Sequence, residues 1–198
     1  ATHADIGRVF PEVAWHMETP VMRTSPAPMF LLSKLVNDRK YKVVLTGEGA
    51  DEFLAGYDIF KEALVRRFWA RQPDSTWRPS LLRRLYADIP ALGATGNSYL
   101  KAFFGGGLSE THRSDYSHSI RWKNNRRNCR FFSEELQSSI LRQRALEDHD
   151  LQLPPEFKDW GSLEQAQYLE IAVFLSQYLL CSQGDRPAMA HSVEGRFP

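Results

Sequence analysis

The sequence predicts an α/β fold, with this segment predominantly helical and carrying few strands. Residues 41–46 (Tyr-Lys-Val-Val-Leu-Thr) form a short β-branched run, which reads as a buried parallel strand. A glycine turn and an apolar helical pattern follow it at once, the strand–turn–helix order of an α/β unit. Elsewhere apolar residues recur at helical spacing between proline- and glycine-rich breaks. One strand cannot make a sheet, so this reading places most of the strands outside the 198 residues.

Taken in order, residues 1–27 read as extended segments broken by Pro11, Pro20 and Pro26. Pro28 then opens an apolar helix through Met29, Phe30, Leu31, Leu32, Leu35 and Val36, closing near Asn37 and Asp38. After the strand, Gly47-Glu48-Gly49-Ala50 is a tight turn. Asp51 is placed to cap a long helix with the apolar face Phe53, Tyr57, Phe60, Leu64 and Phe68. Prolines around 73–79 break the pattern before a helix near 81–87. A second break at 90–97 precedes a helix near 98–104, which runs into Gly105-Gly106-Gly107, a flexible turn. Residues 133–148 read as a helix, and Pro154-Pro155 interrupt the chain. Ser162 and Gln165 pattern as a capping box for a last helix through Tyr168, Ile171, Ala172, Leu175 and Leu179, with a stop at Gly184.

Bulk properties exclude several classes. An apolar fraction of 42%, with 12 Phe, 7 Tyr and 5 Trp, supplies a packed core and argues against disorder. Twenty-five Lys and Arg against 24 Asp and Glu give a formal charge of +1, which points to neither a nucleic-acid nor a membrane partner. Cys129 and Cys181 make no disulfide framework and fit no zinc spacing, the usage of a reduced, cytoplasmic setting. No apolar stretch has the length of a bilayer span. With no initiating Met and no basic-then-apolar leader, the chain is expected to start inside a longer protein.

The strongest chemical signal is Val43-Val44-Leu45-Thr46-Gly47-Glu48-Gly49-Ala50-Asp51-Glu52. Ligands of open α/β sheets gather at the carboxyl ends of strands, and this segment sets two glycines and three carboxylates at such an end. Glycines let backbone N–H groups approach a phosphate. Carboxylates repel a bare phosphate, so their presence suggests a bridging Mg²⁺. The plain alternative is an ordinary strand-to-helix turn in which Asp51 is only an N-cap. The pattern is neither a P-loop nor the dinucleotide fingerprint. A second signal, Ser182-Gln183-Gly184-Asp185-Arg186 continuing to His191-Ser192-Val193-Glu194-Gly195-Arg196-Phe197-Pro198, mixes charge with small residues, as functional loops and plain helix ends both do.

Residues 43–57 resemble the signature of the synthetase domain of glutamine-hydrolysing asparagine synthetases, and residues 182–198 resemble a second signature of that family. The stretch Pro28-Met29-Phe30-Leu31-Leu32-Ser33-Lys34-Leu35, the pair Phe131-Phe132 and the helix at 162–183 also sit where that family has them. The resemblance covers nearly all of residues 1–198, which it makes part of that domain.

It implies an adenine nucleotide α-hydrolase-like (ATP-pyrophosphatase) domain that converts ATP to AMP and pyrophosphate. Aspartate is adenylated on its β-carboxylate, and ammonia from a glutaminase domain then attacks to give asparagine. On this resemblance Asp51 is a Mg²⁺ ligand, Glu48 handles a proton or orients the intermediate, and Gly47 and Gly49 contact the nucleotide through backbone. Arg196 is a catalytic candidate, and Glu18, Arg23 and Glu194 fall in substrate-side loops. A homodimer stays open as an assembly. The family's pyrophosphate loop, Ser-Gly-Gly-x-Asp-Ser, is not in the sequence, nor are an N-terminal Cys nucleophile or the later catalytic Lys. Half an active site is therefore expected, inactive alone. Related readings are another adenylating amidotransferase or cyclase, and a non-catalytic module of the same fold. Glu48 argues against a β-lactam synthetase, where that position typically differs.

Other features read as structural. Arg121-Trp122-Lys123-Asn124-Asn125-Arg126-Arg127-Asn128-Cys129-Arg130-Phe131-Phe132 mixes five cations with aromatics but reads as a solvated basic face. The six histidines show no metal-ligand spacing. Tyr57, Phe60 and Phe68 read as core.

Overall fold

A computed structural model describes residues 1–85, 96–142, 151 and 153–197. The chain divides into two compact units. The first combines Ala1–Gly56 with Tyr168–Pro198, and the second is Tyr57–Gln167.

The first unit opens on a helix, α1 (His3–Met17), where extended chain was expected. A capping box starts it: Thr2 Oγ1 accepts from the Asp5 amide at 3.2 Å, and Asp5 Oδ2 accepts from the Thr2 amide at 2.9 Å. Ile6, Val9, Phe10, Val13 and Met17 then form a helical stripe that packs against Val21, Ala27, Phe30 and Ala190. Pro11 lies inside α1 but on its exposed side, so the ring costs one ladder bond and no core contact. The next helix, α2 (Pro26–Asp38), begins two residues earlier than the sequence suggested. Pro26 and Pro28 both fall in its first turn, where backbone N–H groups have no helical partner to lose. Phe30 is its anchor, 2% exposed, a burial that contributes about 1.5–3 kcal/mol.

Strand β1 (Val43–Leu45) is parallel, as expected, but it is not buried: Val43 is 40% and Leu45 81% exposed. Its partner is β2 (Glu194–Arg196), in register Val43↔Glu194, Val44↔Gly195 and Leu45↔Arg196. Among the described residues the sheet has these two strands, so alternate side chains of each face outward. Glu-Gly-Arg has little strand propensity, and the pairing rests on backbone bonds, including Glu194 N–H to the Lys42 carbonyl at 2.8 Å.

The helix after β1 is also different from the expected one. It is short, α3 (Ala50–Leu54), with Gly49 as N-cap; Asp51 is its second residue and caps nothing. Ala55 in the left-handed conformation ends it, and a separate helix, Asp58–Ala70, belongs to the second unit. The single stripe expected from the sequence therefore does not exist: Phe53 and Leu64 are 61% and 56% exposed, while Phe60 is core and Tyr57 and Phe68 are half-buried.

The run from 162 is helical well past Gly184. Ser162–Leu169 is α-helical, Glu170–Asp185 is π-helical, and Arg186–Met189 is α-helical again. The wide turns are marked by Arg186 N–H donating to the Cys181 carbonyl, five residues back. Ser162 is the first helical residue instead of the cap, and the Gln165 amide reaches the Phe157 carbonyl at 2.9 Å, so no capping box forms.

The second unit packs Trp69, Leu82, Phe104 and Ile120 with Val65, Leu85, Phe103 and Leu108. Arg66 is fully buried. Its guanidinium lies 4.4 Å from the Tyr116 ring centroid and donates to the carbonyls of Phe104 (3.1 Å), Gly106 (2.9 Å) and Tyr116 (3.2 Å). The turn at Gly105-Gly106-Gly107, expected to be flexible, is thereby pinned. The helix expected near 81–87 is a 3₁₀ helix at Arg78–Arg84, and residues 86 and 87 lie outside the described residues. The break at 90–97 lies outside them as far as 95, and Gly96 already begins the helix Gly96–Phe104. Of the helix expected at 133–148, Glu134–Arg142 forms and 143–148 lie outside the described residues. The basic stretch forms the helix Tyr116–Arg126 and the 3₁₀ turn Arg127–Phe131, with Arg121 paired to Glu62. No helix among the described residues is long and apolar enough to cross a membrane.

Candidate functional site

At the carboxyl end of β1 the chain turns through Thr46, Gly47, Glu48 and Gly49 into α3. The Thr46 amide still donates to the Arg196 carbonyl at 3.0 Å, so the turn departs from a paired strand end. Ala50 N–H donates to the Gly47 carbonyl at 3.1 Å, and Phe53 N–H to that of Gly49 at 2.9 Å. Gly49 has φ +97°, a conformation that strains any L side chain. A Cβ on Gly47, by contrast, would meet nothing within 4 Å. Protein packing does not demand glycine there, and its backbone is open to close approach by a ligand.

Glu48 is half-buried, and its Oε2 is buried with no hydrogen-bond partner. Thr46 Oγ1, Tyr178 Oη and Ser182 Oγ are in the same condition. Leaving a buried polar atom unpaired costs about 1–3 kcal/mol, so such atoms are few in folded proteins. These four lie in the first unit, two on the turn and two on the π segment, and Ser25 Oγ is unpartnered in the same unit.

Asp51 is exposed. Gly56 N–H donates to its carbonyl at 2.9 Å, and a Cβ on Gly56 would lie 1.9 Å from Asp51 Oδ1, so the chain folds tightly over this carboxylate. Asp51 offers one oxygen-donor side chain to a divalent ion. Among the described residues no group of three or more His, Cys, Asp and Glu converges as a metal cluster. A divalent ion would find at Asp51 a hard oxygen donor of the kind Mg²⁺ prefers.

The π segment borders the turn. Leu175 Cδ2 lies 3.6 Å from where a Gly49 Cβ would stand. Phe174 and Tyr178 stack with centroids 5.7 Å apart, and the Arg23 guanidinium sits 5.5 and 6.0 Å from their centroids. Further along, Gln183 and Gly184 join Met29, Val44, Thr46 and Phe197 in lining a small apolar cavity of about 40 Å³.

The remaining expected residues divide. Arg196 reaches the strand end through its backbone, while its side chain donates from Nε to Glu194 Oε1 at 2.8 Å; both are exposed. That bond holds the Glu194 carboxyl below its ordinary range and raises the Arg196 guanidinium. Glu18 is the left-handed C-cap of α1 and pairs with Arg186 at 3.0 Å, while Arg186 also donates to the Met17 carbonyl. Sequence reasoning missed Leu175 as a neighbour of the turn, although its helical spacing with Ser182 was visible. It also missed Ser33, whose hydroxyl lies 2.6 Å from the Pro187 carbonyl and 2.9 Å from His191 Nδ1; nothing in the sequence joins residues so far apart.

Comparison with known proteins gives a consistent result. The chain is 26% identical to Amidase chry2 of Gibberella zeae over 96% of its own length and 28% of that protein's. It is 29% identical to a putative glutamine-hydrolyzing asparagine synthetase of Mycobacterium bovis, covering 95% of this chain and 26% of the relative. It is 24% identical to glutamine-hydrolyzing asparagine synthetase 1 of Bacillus subtilis, covering 95% and 27%. The chain thus spans roughly a quarter of the length of these curated relatives. No solved structure matches it. The Asparagine synthase family model matches residues 1–198, the whole chain, and on that match the chain belongs to the asparagine synthase family.

Proposed function

We propose that residues 1–198 are part of a synthetase domain, of the adenine nucleotide α-hydrolase type, in an ATP-dependent amide-forming ligase. The substrates we assign are aspartate, ATP and ammonia delivered by a glutaminase domain elsewhere in the protein, in the cytoplasm. The observation that carries this reading is the buried, unpartnered Glu48 Oε2 on a glycine turn at the carboxyl end of a parallel strand, three residues before the exposed Asp51. The family membership supports it.

A free carboxylate is a poor acyl donor. One of its oxygens attacks the α-phosphorus of ATP, the bond to pyrophosphate breaks, and the carboxylate becomes an acyl adenylate. Ammonia then attacks the acyl carbon, AMP leaves, and the nitrogen sheds a proton. Mg²⁺, when bound, offsets charge on the departing pyrophosphate. Asp51 holds and orients that end of the site. Glu48 is placed to accept the proton of the attacking nitrogen, since its free oxygen has no protein partner to give up. The open Gly47 backbone lets the nucleotide approach the turn closely. The Arg196–Glu194 pair borders the same strand end and is free to contact substrate.

The name of the amidase relative favours a second reading, in which the same adenylation serves another carboxylic acid. Pyrophosphate release by the full-length protein, supplied with Mg-ATP, aspartate and ammonium, distinguishes the two. Release that Asp51→Asn abolishes supports the aspartate ligase. A well-folded full-length protein that releases none with excess ammonium refutes the aspartate assignment.

A further inference from the structure

Resting on the ligase reading above, we propose that Tyr178 and Ser182 are positioning residues for the acyl substrate, donating hydrogen bonds to the oxygen atoms of its non-reacting carboxylate. Both lie on the π segment Glu170–Asp185. That segment is fixed against the turn at two points. Leu175 packs against Gly49, and Gln183 and Gly184 share a cavity wall with Thr46. Tyr178 and Ser182 fall between those points, four residues apart, on neighbouring helical positions.

Their hydroxyls, Tyr178 Oη and Ser182 Oγ, are buried and have no partner, and so are Thr46 Oγ1 and Glu48 Oε2 on the turn. Two unpaired buried hydroxyls on one segment beside the turn are a cost to the fold that a bound group with acceptor oxygens would offset. The chemistry of the missing partner follows from the donors. Each hydroxyl has one proton to give, and the Arg23 guanidinium over the Tyr178 ring adds positive charge beside it. Two donors and a nearby cation suit an anion with two oxygens. The Glu48 oxygen is an acceptor, suited to nitrogen at the reacting end.

The test uses the full-length protein with Tyr178→Phe and Ser182→Ala, neither of which alters packing volume much. The substrates are aspartate and β-alanine, which keeps the reacting carboxylate and the amine but lacks the second carboxylate. Each variant should raise KM for aspartate about 10-fold or more, the equivalent of losing one hydrogen bond to a charged group, with KM for ATP unchanged. The preference for aspartate over β-alanine should fall by the same factor. Without substrate, Tm should stay the same or rise, because an unpaired hydroxyl is removed; a structural role would lower it instead. Variants with wild-type KM and wild-type preference overturn the assignment while leaving the ligase reading intact. A folded wild-type protein that releases no pyrophosphate with aspartate overturns both.

Discussion

Replacing Gly56 by Ala tests whether the position of Asp51 matters to the chemistry. An alanine Cβ at 56 would stand 1.9 Å from Asp51 Oδ1, 2.9 Å from its Cγ and 3.3 Å from its Cα. Real Cβ atoms essentially never come within 3.0 Å of a neighbour, so the oxygen has to retreat by about 1 Å or more. The carboxylate is the end of a flexible, exposed side chain and yields easily, so the fold should survive with little loss. The approach to the Asp51 backbone requires a shift of only a few tenths of an ångström. The expected damage is therefore to position and not to stability. A misplacement of about 1 Å in a group that orients a reaction costs on the order of 10²-fold in rate. That corresponds to about 2.7 kcal/mol of transition-state free energy. Pyrophosphate release by the full-length protein, measured across Mg²⁺ concentrations, reads the effect as a lower kcat/KM and a higher Mg²⁺ requirement. Gly7→Ala is the control, because a Cβ there meets nothing within 4 Å. A folded Gly56→Ala protein with the wild-type rate and Mg²⁺ profile would refute the role given to Asp51.

Two further perturbations follow from buried charge. Glu62 is fully buried and accepts from Arg121 at 3.1 and 2.6 Å; Arg121→Met should lower stability by about 1.5–3 kcal/mol in urea unfolding, the worth of a hydrogen bond to a charged group, and no change in midpoint would sink that view of the pair. Burial holds His191 below its ordinary value of 6.5, with Glu12 opposing and Lys34 and His16 adding to the effect. The unfolded chain thus takes up the proton first as pH falls, so stability is full above about 6.5 and declines from there toward the lower folded value. His191→Gln should flatten the fall in Tm below neutrality, and an unchanged slope would assign it to other groups.

Much of the fold was legible where the signal is local, and much was lost where it is not. The helices at 29–38, 98–104 and 134–142 follow from apolar periodicity, and the parallel strand from its β-branched run. The helix α1 was legible too, in Thr2 and Asp5 and in the stripe from Ile6 to Met17. Three prolines outweighed that signal, although one of them sits on the exposed face and another in a helix's first turn, both tolerated places. The break between α3 and Asp58–Ala70 was hidden because Ala55 adopts a left-handed conformation that composition does not announce. Strand β2 was illegible for a different reason: Glu-Gly-Arg has no strand pattern, and its pairing with residues about 150 positions earlier depends on backbone alone.

The candidate site divides along the same line, and the division bears on function. Thr46, Gly47, Glu48, Gly49 and Asp51 are contiguous, so one turn of chain holds them together and the sequence shows them together. The groups we assign to the shared chemistry, the nucleotide contact, the proton acceptor and the metal ligand, are all of this kind. Arg23, Phe174, Leu175, Tyr178 and Ser182 come from stretches some 150 residues apart, and although Ser182 opens the second family-like stretch, no single run of sequence shows these residues together. A contiguous turn has little freedom to change without losing its backbone geometry, as the φ of Gly49 and the tight approach at Gly56 show. Side chains on a helix can be exchanged one at a time without disturbing that turn. Proteins that keep one adenylation chemistry while changing the acid they activate would therefore differ chiefly along the π segment. Whether aspartate or another acid is the substrate here is accordingly a question for Tyr178 and Ser182 more than for Glu48.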